Sequence, residues 1–431
     1  MRDYALFKNR RKQVLDFLRR ENPGLKNGMV ILFADFENTR HIFRQESSFY
    51  YLTGITEPGA VLCFCLDGTE TLYLPDYGGI RDKWVKASVA NNNLEKLASK
   101  FGVSQVKYLG KPCGGYTLSP VFMEDSYETL LIDINKFFKD NFDAQLFSLF
   151  DNLSSNYYFQ IQIYRNCLEY LPFLQDITRD IAPLVHHMRR FKDELEVDLI
   201  YKAVQITSIA YEAVADIIVP GRIEYELQAG AESVFTQLGS QRTAFPSIVA
   251  AGENSTILHY TKRDKELEPN DLVVVDIGAE YEYYASDLTR TFPVAGKFSK
   301  EQLEIYNMVL QTQNYIESVA KPGTFLNNPE KQDLSLNHLA TKFLQDKGYG
   351  KYISHSIGHF LGLDVHDVGS MDYPLAPGDV FTIEPGLYIP EQNLGVRIED
   401  DYVMTEDGVI CLSFQLPKKA SEIEKLMAKN K

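Results

Sequence analysis

The stretch VVVDIGAEYEYYASDLTRT, residues 273–291, constrains the fold more than any other. Asp276 closes a run of β-branched apolar residues, and Asp287 opens another strand-like run. A strand of valines belongs in the interior, where burying one carboxylate is costly and two side by side cost more. With the turn centred on Tyr281 and Glu282, antiparallel pairing sets Asp276 opposite Asp287 on one face of the hairpin. Directly opposed like charges destabilise a hairpin unless a cation lies between them. The register is an expectation only, since a one-residue slip would separate the pair.

Three other segments repeat the anomaly. GDVFTIEPG places Glu384 at the end of an apolar strand, GVRIEDDYV places Glu399 between Ile398 and Asp400, and SHSIGHFLGLDVHDVG carries His355, His359 and His366 in a glycine-rich stretch. With His259 in TILHYT, four of the eight histidines fall in these segments. Singly, each group has an ordinary reading as a turn, edge or loop residue. Together they form an oxygen-rich donor set that suits manganese, cobalt or zinc at an open site better than a closed thiolate site. Asp276, Asp287, Glu384 and Glu399 carry four negative charges, which two divalent ions would neutralise. Two ions roughly 3.5–4 Å apart lower the pKa of a shared water and hold a carbonyl beside it. The residues therefore point to a dinuclear metallohydrolase.

The rest of the chain frames that site. Its 431 residues exceed one ordinary core, so two domains are expected, 1–175 and 176–431. A net charge of −15 argues against nonspecific nucleic-acid or anionic-membrane binding. No run reaches the ~20 apolar residues of a membrane span, and MRDYALFKNRRKQVLDFLRR reads as a basic surface helix without the core of a signal peptide. Five scattered cysteines fit a reducing, cytoplasmic setting, with Cys63 and Cys65 on one face of a strand. Strands and helices alternate to about residue 165, as in a small α/β domain. Residues 170–192 read as a proline-broken helical connector, in which His186 and His187 have structural or solvent roles. A long helix follows from Asp193 to the Pro220–Gly221 stop, then a second over IEYELQAGAESVFTQLG. From residue 244 short strands dominate, AFPSIVAAGENSTILHY among them, interrupted by helices at 299–320 and 331–347. The second half is thus α+β, with helices on a curved antiparallel sheet.

At these residues the chain resembles the proline-specific metallopeptidases of the pita-bread fold, chiefly bacterial aminopeptidase P, with prolidase close by. The likeness is carried in order by FRQESSFYYLTGITEPG, VHHMRRFKDELEV, AGENSTILHYT, VVVDIGAEYEYYASDLTRTFPV, HSIGHFLGLDVHDVG, FTIEPGLYI and GVRIEDDYVMT, and it extends into the tail KKASEIEKLM. It implies a pita-bread catalytic domain behind a smaller α/β domain. It implies two divalent ions, manganese first and cobalt or zinc as alternatives. Asp276 would chelate one ion, Asp287 and Glu399 would bridge both, and His359 and Glu384 would complete the second site. His355 and His366 would face the substrate and steady its carbonyl oxygen. His259 would contact substrate near the scissile bond, Arg397 would either contact substrate or support the metal ligands from behind, and Glu384 would move a proton toward the leaving nitrogen. The implied substrates are small peptides with proline second, and the implied assembly is a homodimer or homotetramer through the N-terminal domain. Ser356 stands where a glycine is common in the family, and the segments 366–384 and 384–399 are short. These departures leave both an Xaa-Pro aminopeptidase and an Xaa-Pro dipeptidase open. A metal-free binding module of the same fold is the remaining alternative.

Overall fold

The structure, a computed structural model, describes residues 4–38, 41–85, 93–118, 123–150 and 157–428. It divides into two compact units, Met1–Met188 and Arg189–Lys431.

The first unit is built on a six-stranded mixed sheet. Its centre is an antiparallel meander of Gly28–Phe33, Val61–Cys65 and Glu70–Leu74. Parallel strands extend it on both sides: Gln105–Tyr108 beyond Glu70–Leu74, and Gln145–Ser148 then Thr178–Asp180 beyond Gly28–Phe33. The strand at 178–180 places the division between the units C-terminal to the expected 175/176. Only three residues long and largely exposed, it carries no apolar signal that a sequence reading could catch. The helix Tyr4–Glu21 buries Phe7, Val14, Leu15 and Leu18, a single helical face. It also buries Arg11, whose guanidinium grips Glu70 at 3.1 and 2.7 Å, so this basic helix is not wholly a surface element. Cys63 joins the core with Cys65 packed against the same cluster, as strand alternation requires. All five cysteines are free thiols.

The second unit opens with the helix Glu194–Ile217. Asp193 and Glu196 form a reciprocal capping box at its start. Its buried face includes Tyr211, whose hydroxyl lies 2.8 Å from the Val275 carbonyl and 2.6 Å from that of Leu288, one contact on each strand of the hairpin discussed above. Helices Glu224–Gln237, Lys300–Val319, Leu336–Asp346 and Ala420–Ala428 complete the helical layer. The strands are antiparallel and fall into small sheets. Ile248–Ala251, Leu272–Ile277 and Leu288–Pro293 form one, and Val380–Ile383, Asp400–Thr405 and Gly408–Cys411 another. Gly386–Ile389 pairs with Leu394–Arg397, and a bridge between Thr289 and Glu399 joins the first two sheets.

Two expected elements are shorter than their patterns. AFPSIVAAGENSTILHY is strand only over Ile248–Ala251, because Gly252 turns the chain at φ 55° into a 3₁₀ turn over Gly252–Thr256. The helix expected from 331 starts at Leu336, where Ser335 accepts the His338 amide and fixes the N-terminus.

Candidate metal centre

The hairpin that carries Asp276 and Asp287 turns one residue later than expected. Tyr281 pairs with Tyr284, leaving Glu282 and Tyr283 at the tip with φ of 47° and 78°. Two consecutive left-handed residues make the mirror-image turn that matches strand twist. The pairing Ile277–Leu288 and Asp276–Thr289 follows from that turn. Asp276 is therefore opposite Thr289 rather than Asp287, which corrects the expected register. Moving a turn by one residue slides the partner by two, so the alternation keeps Asp287 on the Asp276 face.

Neighbouring strands bring the other groups in. Glu399 precedes Asp400–Thr405 and is locked to Thr289 by backbone hydrogen bonds of 3.1 and 3.4 Å. Glu384 follows Val380–Ile383. His359 lies beside that strand: its amide donates to Thr382 Oγ1 at 3.2 Å, and its carbonyl accepts the Thr382 amide at 2.9 Å.

Donor atoms of Asp287, His359 and Glu399 all lie within 4.8 Å of one another. His359 Nε2 is 3.3 Å from Asp287 Oδ2 and 3.6 Å from Glu384 Oε1. Its Nδ1 faces the Phe360 carbonyl at 3.1 Å. A ring nitrogen facing a carbonyl carries the proton, which leaves the Nε2 lone pair aimed at the carboxylates. Asp276, Asp287 and Glu399 are 7%, 5% and 1% exposed. Among the described residues, Asp276 Oδ1, Asp287 Oδ1 and Glu399 Oε1 are buried with no hydrogen-bond partner. Burial first, and the Asp276 charge next, pushes the Asp287 carboxyl well above its ordinary range. Burial and then Asp287 do the same to Glu399, and burial raises Glu384. Buried, unpartnered oxygens that repel one another are what a hard divalent cation satisfies. This donor set fits such an ion.

Around the carboxylates runs a polar chain. Arg397 donates to Asp276 Oδ2 at 2.5 Å, to Tyr388 Oη at 2.8 Å and to Thr289 Oγ1 at 3.2 Å. Thr289 Oγ1 donates to Glu399 Oε2 at 2.7 Å. His355 Nδ1 donates to the Ser356 carbonyl at 2.8 Å, so its Nε2, 2.8 Å from Tyr388 Oη, is an acceptor. Burial holds the His355 pKa near 4, with Arg397 adding to the effect. His366 is exposed as a residue, its ring centred 4.0 Å from that of His359, and partial desolvation of the ring followed by His359 lowers its pKa to about 4. His259 is exposed on the loop after Thr256, and its charge would disfavour protonation of both His355 and His366. Thr289, Tyr388 and Asp401, whose Oδ2 accepts the Asp287 amide at 3.1 Å, were not singled out by sequence reasoning. Thr289 had a signal, two positions past Asp287 on the same strand face. Asp401 had one in the doubled aspartate after Glu399, whereas Tyr388 had none.

Comparisons with known proteins give a metallopeptidase family. Residues 198–406 match the model of metallopeptidase family M24, and residues 7–111 match that of the aminopeptidase P N-terminal domain. The chain is 32% identical to the Xaa-Pro aminopeptidase of Escherichia coli, over 97% of this chain and 96% of that protein. It is 26% identical to the human Xaa-Pro dipeptidase, over 98% and 93%. The structure of proline aminopeptidase P II from Yersinia pestis superposes with a TM-score of 0.82 at 28% identity, covering 99% of this chain and all of that one.

Proposed function

This chain belongs to metallopeptidase family M24, in its aminopeptidase P branch, and from that premise we propose that it is a metal-dependent Xaa-Pro aminopeptidase, releasing the residue that precedes a proline at the start of small peptides. The observation that carries this reading is the trio of buried Asp287, half-buried His359 and buried Glu399, with donors within 4.8 Å and, among the described residues, carboxylate oxygens that lack partners. We assign Asp276, Asp287, His359, Glu384 and Glu399 to two divalent ions, manganese by preference because the donors are mainly oxygen. Ions held there supply Lewis acidity for activating water and polarising a peptide carbonyl.

The chain's own groups do the rest. The nitrogen of a proline peptide bond bears no hydrogen and leaves only when a proton reaches it. Glu384, whose Oε1 lies 3.6 Å from His359 Nε2, would take that proton from water and pass it to the nitrogen. His366, neutral at pH 7, donates a ring N–H to the carbonyl oxygen as it gains charge, and His355 stands as its companion on the Tyr388 hydroxyl. His259 contacts the substrate at the rim of the site, and Arg397, buried beneath it, steadies Asp276 and the Tyr388 hydroxyl. The assembly is a homodimer or homotetramer in the cytoplasm, which light scattering and fractionation would test. Among the described residues no helix is long and apolar enough to cross a membrane.

The match to a dipeptidase over 98% of the chain keeps a second reading open, an enzyme confined to Xaa-Pro dipeptides. The test is a peptide series of increasing length, assayed on metal-stripped protein reloaded with manganese. We expect cleavage before proline in tripeptides and longer peptides. Cleavage of dipeptides alone would move the assignment to dipeptidase, and no cleavage by manganese-replete protein would overturn both.

A further inference from the structure

The loop over residues 361–369 carries His366, and an ionic clamp holds it. Asp367, next in sequence to His366, has a side chain only 1% exposed. Its carboxylate accepts from Lys192 Nζ at 2.9 Å and from Arg189 Nη2 at 2.5 Å, and the same Arg189 nitrogen reaches Asp364 Oδ2 at 2.8 Å. The Lys192 side chain is likewise 1% exposed. Gly362 passes directly against the pair, where a Cβ would overlap Asp367 Oδ2 and Lys192 Cε. Backbone bonds close the arrangement: the Asp367 amide donates to the Phe360 carbonyl at 2.9 Å, and the Ala285 amide donates to the Gly362 carbonyl at 2.8 Å, two residues before Asp287. The segment that supplies the cations is fixed in turn. Arg190 grips Asp379 through two 2.7 Å bonds, and the Lys192 amide donates to the Gly378 carbonyl at 2.9 Å, just ahead of the strand that leads into Glu384.

Desolvating these charges is a poor way to gain stability, since apolar side chains would fill the same space at less cost. What the clamp delivers is one geometry for one loop. We propose that Lys192 and Arg189 are positioning residues, holding His366 in place for substrate through Asp367. The proposal rests on the assignment of His366 as a substrate-facing group.

The test uses full-length, manganese-loaded protein. Lys192→Met, Lys192→Arg, His366→Ala and the double variant Lys192→Met/His366→Ala are compared for kcat, KM, manganese content and amide exchange over 360–369. Misplacing a reacting group by an ångström costs about 10²-fold. We expect Lys192→Met to lower kcat by about 10- to 10²-fold, with KM and manganese content near those of the parent and faster loop exchange. Lys192→Arg should recover most of the loss. On the His366→Ala background, Lys192→Met should cost less than about threefold, because coupled residues are not additive. Full additive loss on that background, or unchanged loop exchange, would overturn the proposal. Should Lys192→Met fail to fold, Arg189→Lys enters the same cycle with the same two outcomes. A parent protein that binds manganese yet cleaves no Xaa-Pro peptide would refute the assigned activity instead. Loop exchange would then decide the clamp by itself, faster exchange sustaining it and unchanged exchange ending it.

Discussion

Thr289 orients a buried carboxylate without carrying a charge. Its hydroxyl donates to Glu399 Oε2 and accepts from Arg397 Nε, which leaves Glu399 Oε1 as the unpartnered oxygen. Removing such an outer partner costs about 10–100-fold in metal affinity. Thr289→Val keeps the shape and the β-branch, so manganese titration calorimetry should show a weakening of that size while folding is retained. An unchanged Kd would mean that the backbone bridge between Thr289 and Glu399 orients the ligand unaided. The carboxylates and His359 were legible in the sequence because each breaks an apolar or glycine-rich pattern. Tyr388 was not, because a tyrosine in GLYI looks like an ordinary strand residue until Arg397 and His355 are folded onto it.

At the scale of elements, the hairpin shows which inferences survive an error. The turn is one residue off the expected position, yet strand alternation returned Asp287 to the correct face. The tight spot is Gly278, where an added Cβ would run into the Ser286 carbonyl across the hairpin. Gly278→Ala should destabilise the C-terminal unit by about 1–3 kcal/mol, the usual cost of overpacking. Urea denaturation of the metal-free protein measures it, and an unchanged midpoint would show that the hairpin yields freely. Helices were legible where a cap marks them, as at Asp193 and Ser299, whereas the cap at Ser335 was passed over and that helix was expected to start too early. The three-residue strand at 178–180 was not, since its only signal is the neighbour it pairs with.

For the whole molecule, metal binding couples the site to stability. An ion present at 100 times its Kd adds about 2.7 kcal/mol, so chelation should lower the denaturation midpoint of the Arg189–Lys431 unit and leave that of Met1–Met188 in place. A proteolysis series across the two units reads this directly, and equal shifts in both would contradict it. Without metal, pH matters as well. Asp287 and Glu399, raised above their ordinary 3.8 and 4.5, hold protons that the unfolded chain has lost. Their stabilising contribution is complete at low pH and disappears as pH rises through the folded values. As pH rises above the ordinary carboxylate range, the chelated parent should lose stability relative to a chelated Asp287→Asn variant, which has no such proton to lose, and manganese should abolish the loss. A chelated parent that keeps pace with Asp287→Asn across the pH series would refute this account. The sequence by itself determined the periods, the caps and the acids set among apolar residues, because alternation and helical spacing are local properties of the chain. Only the tertiary structure decided which oxygens lack partners, that Arg397 reaches Asp276, and that Lys192 meets Asp367 from 175 positions away. Those depend on how separate strands and loops cross in space, which no local pattern encodes.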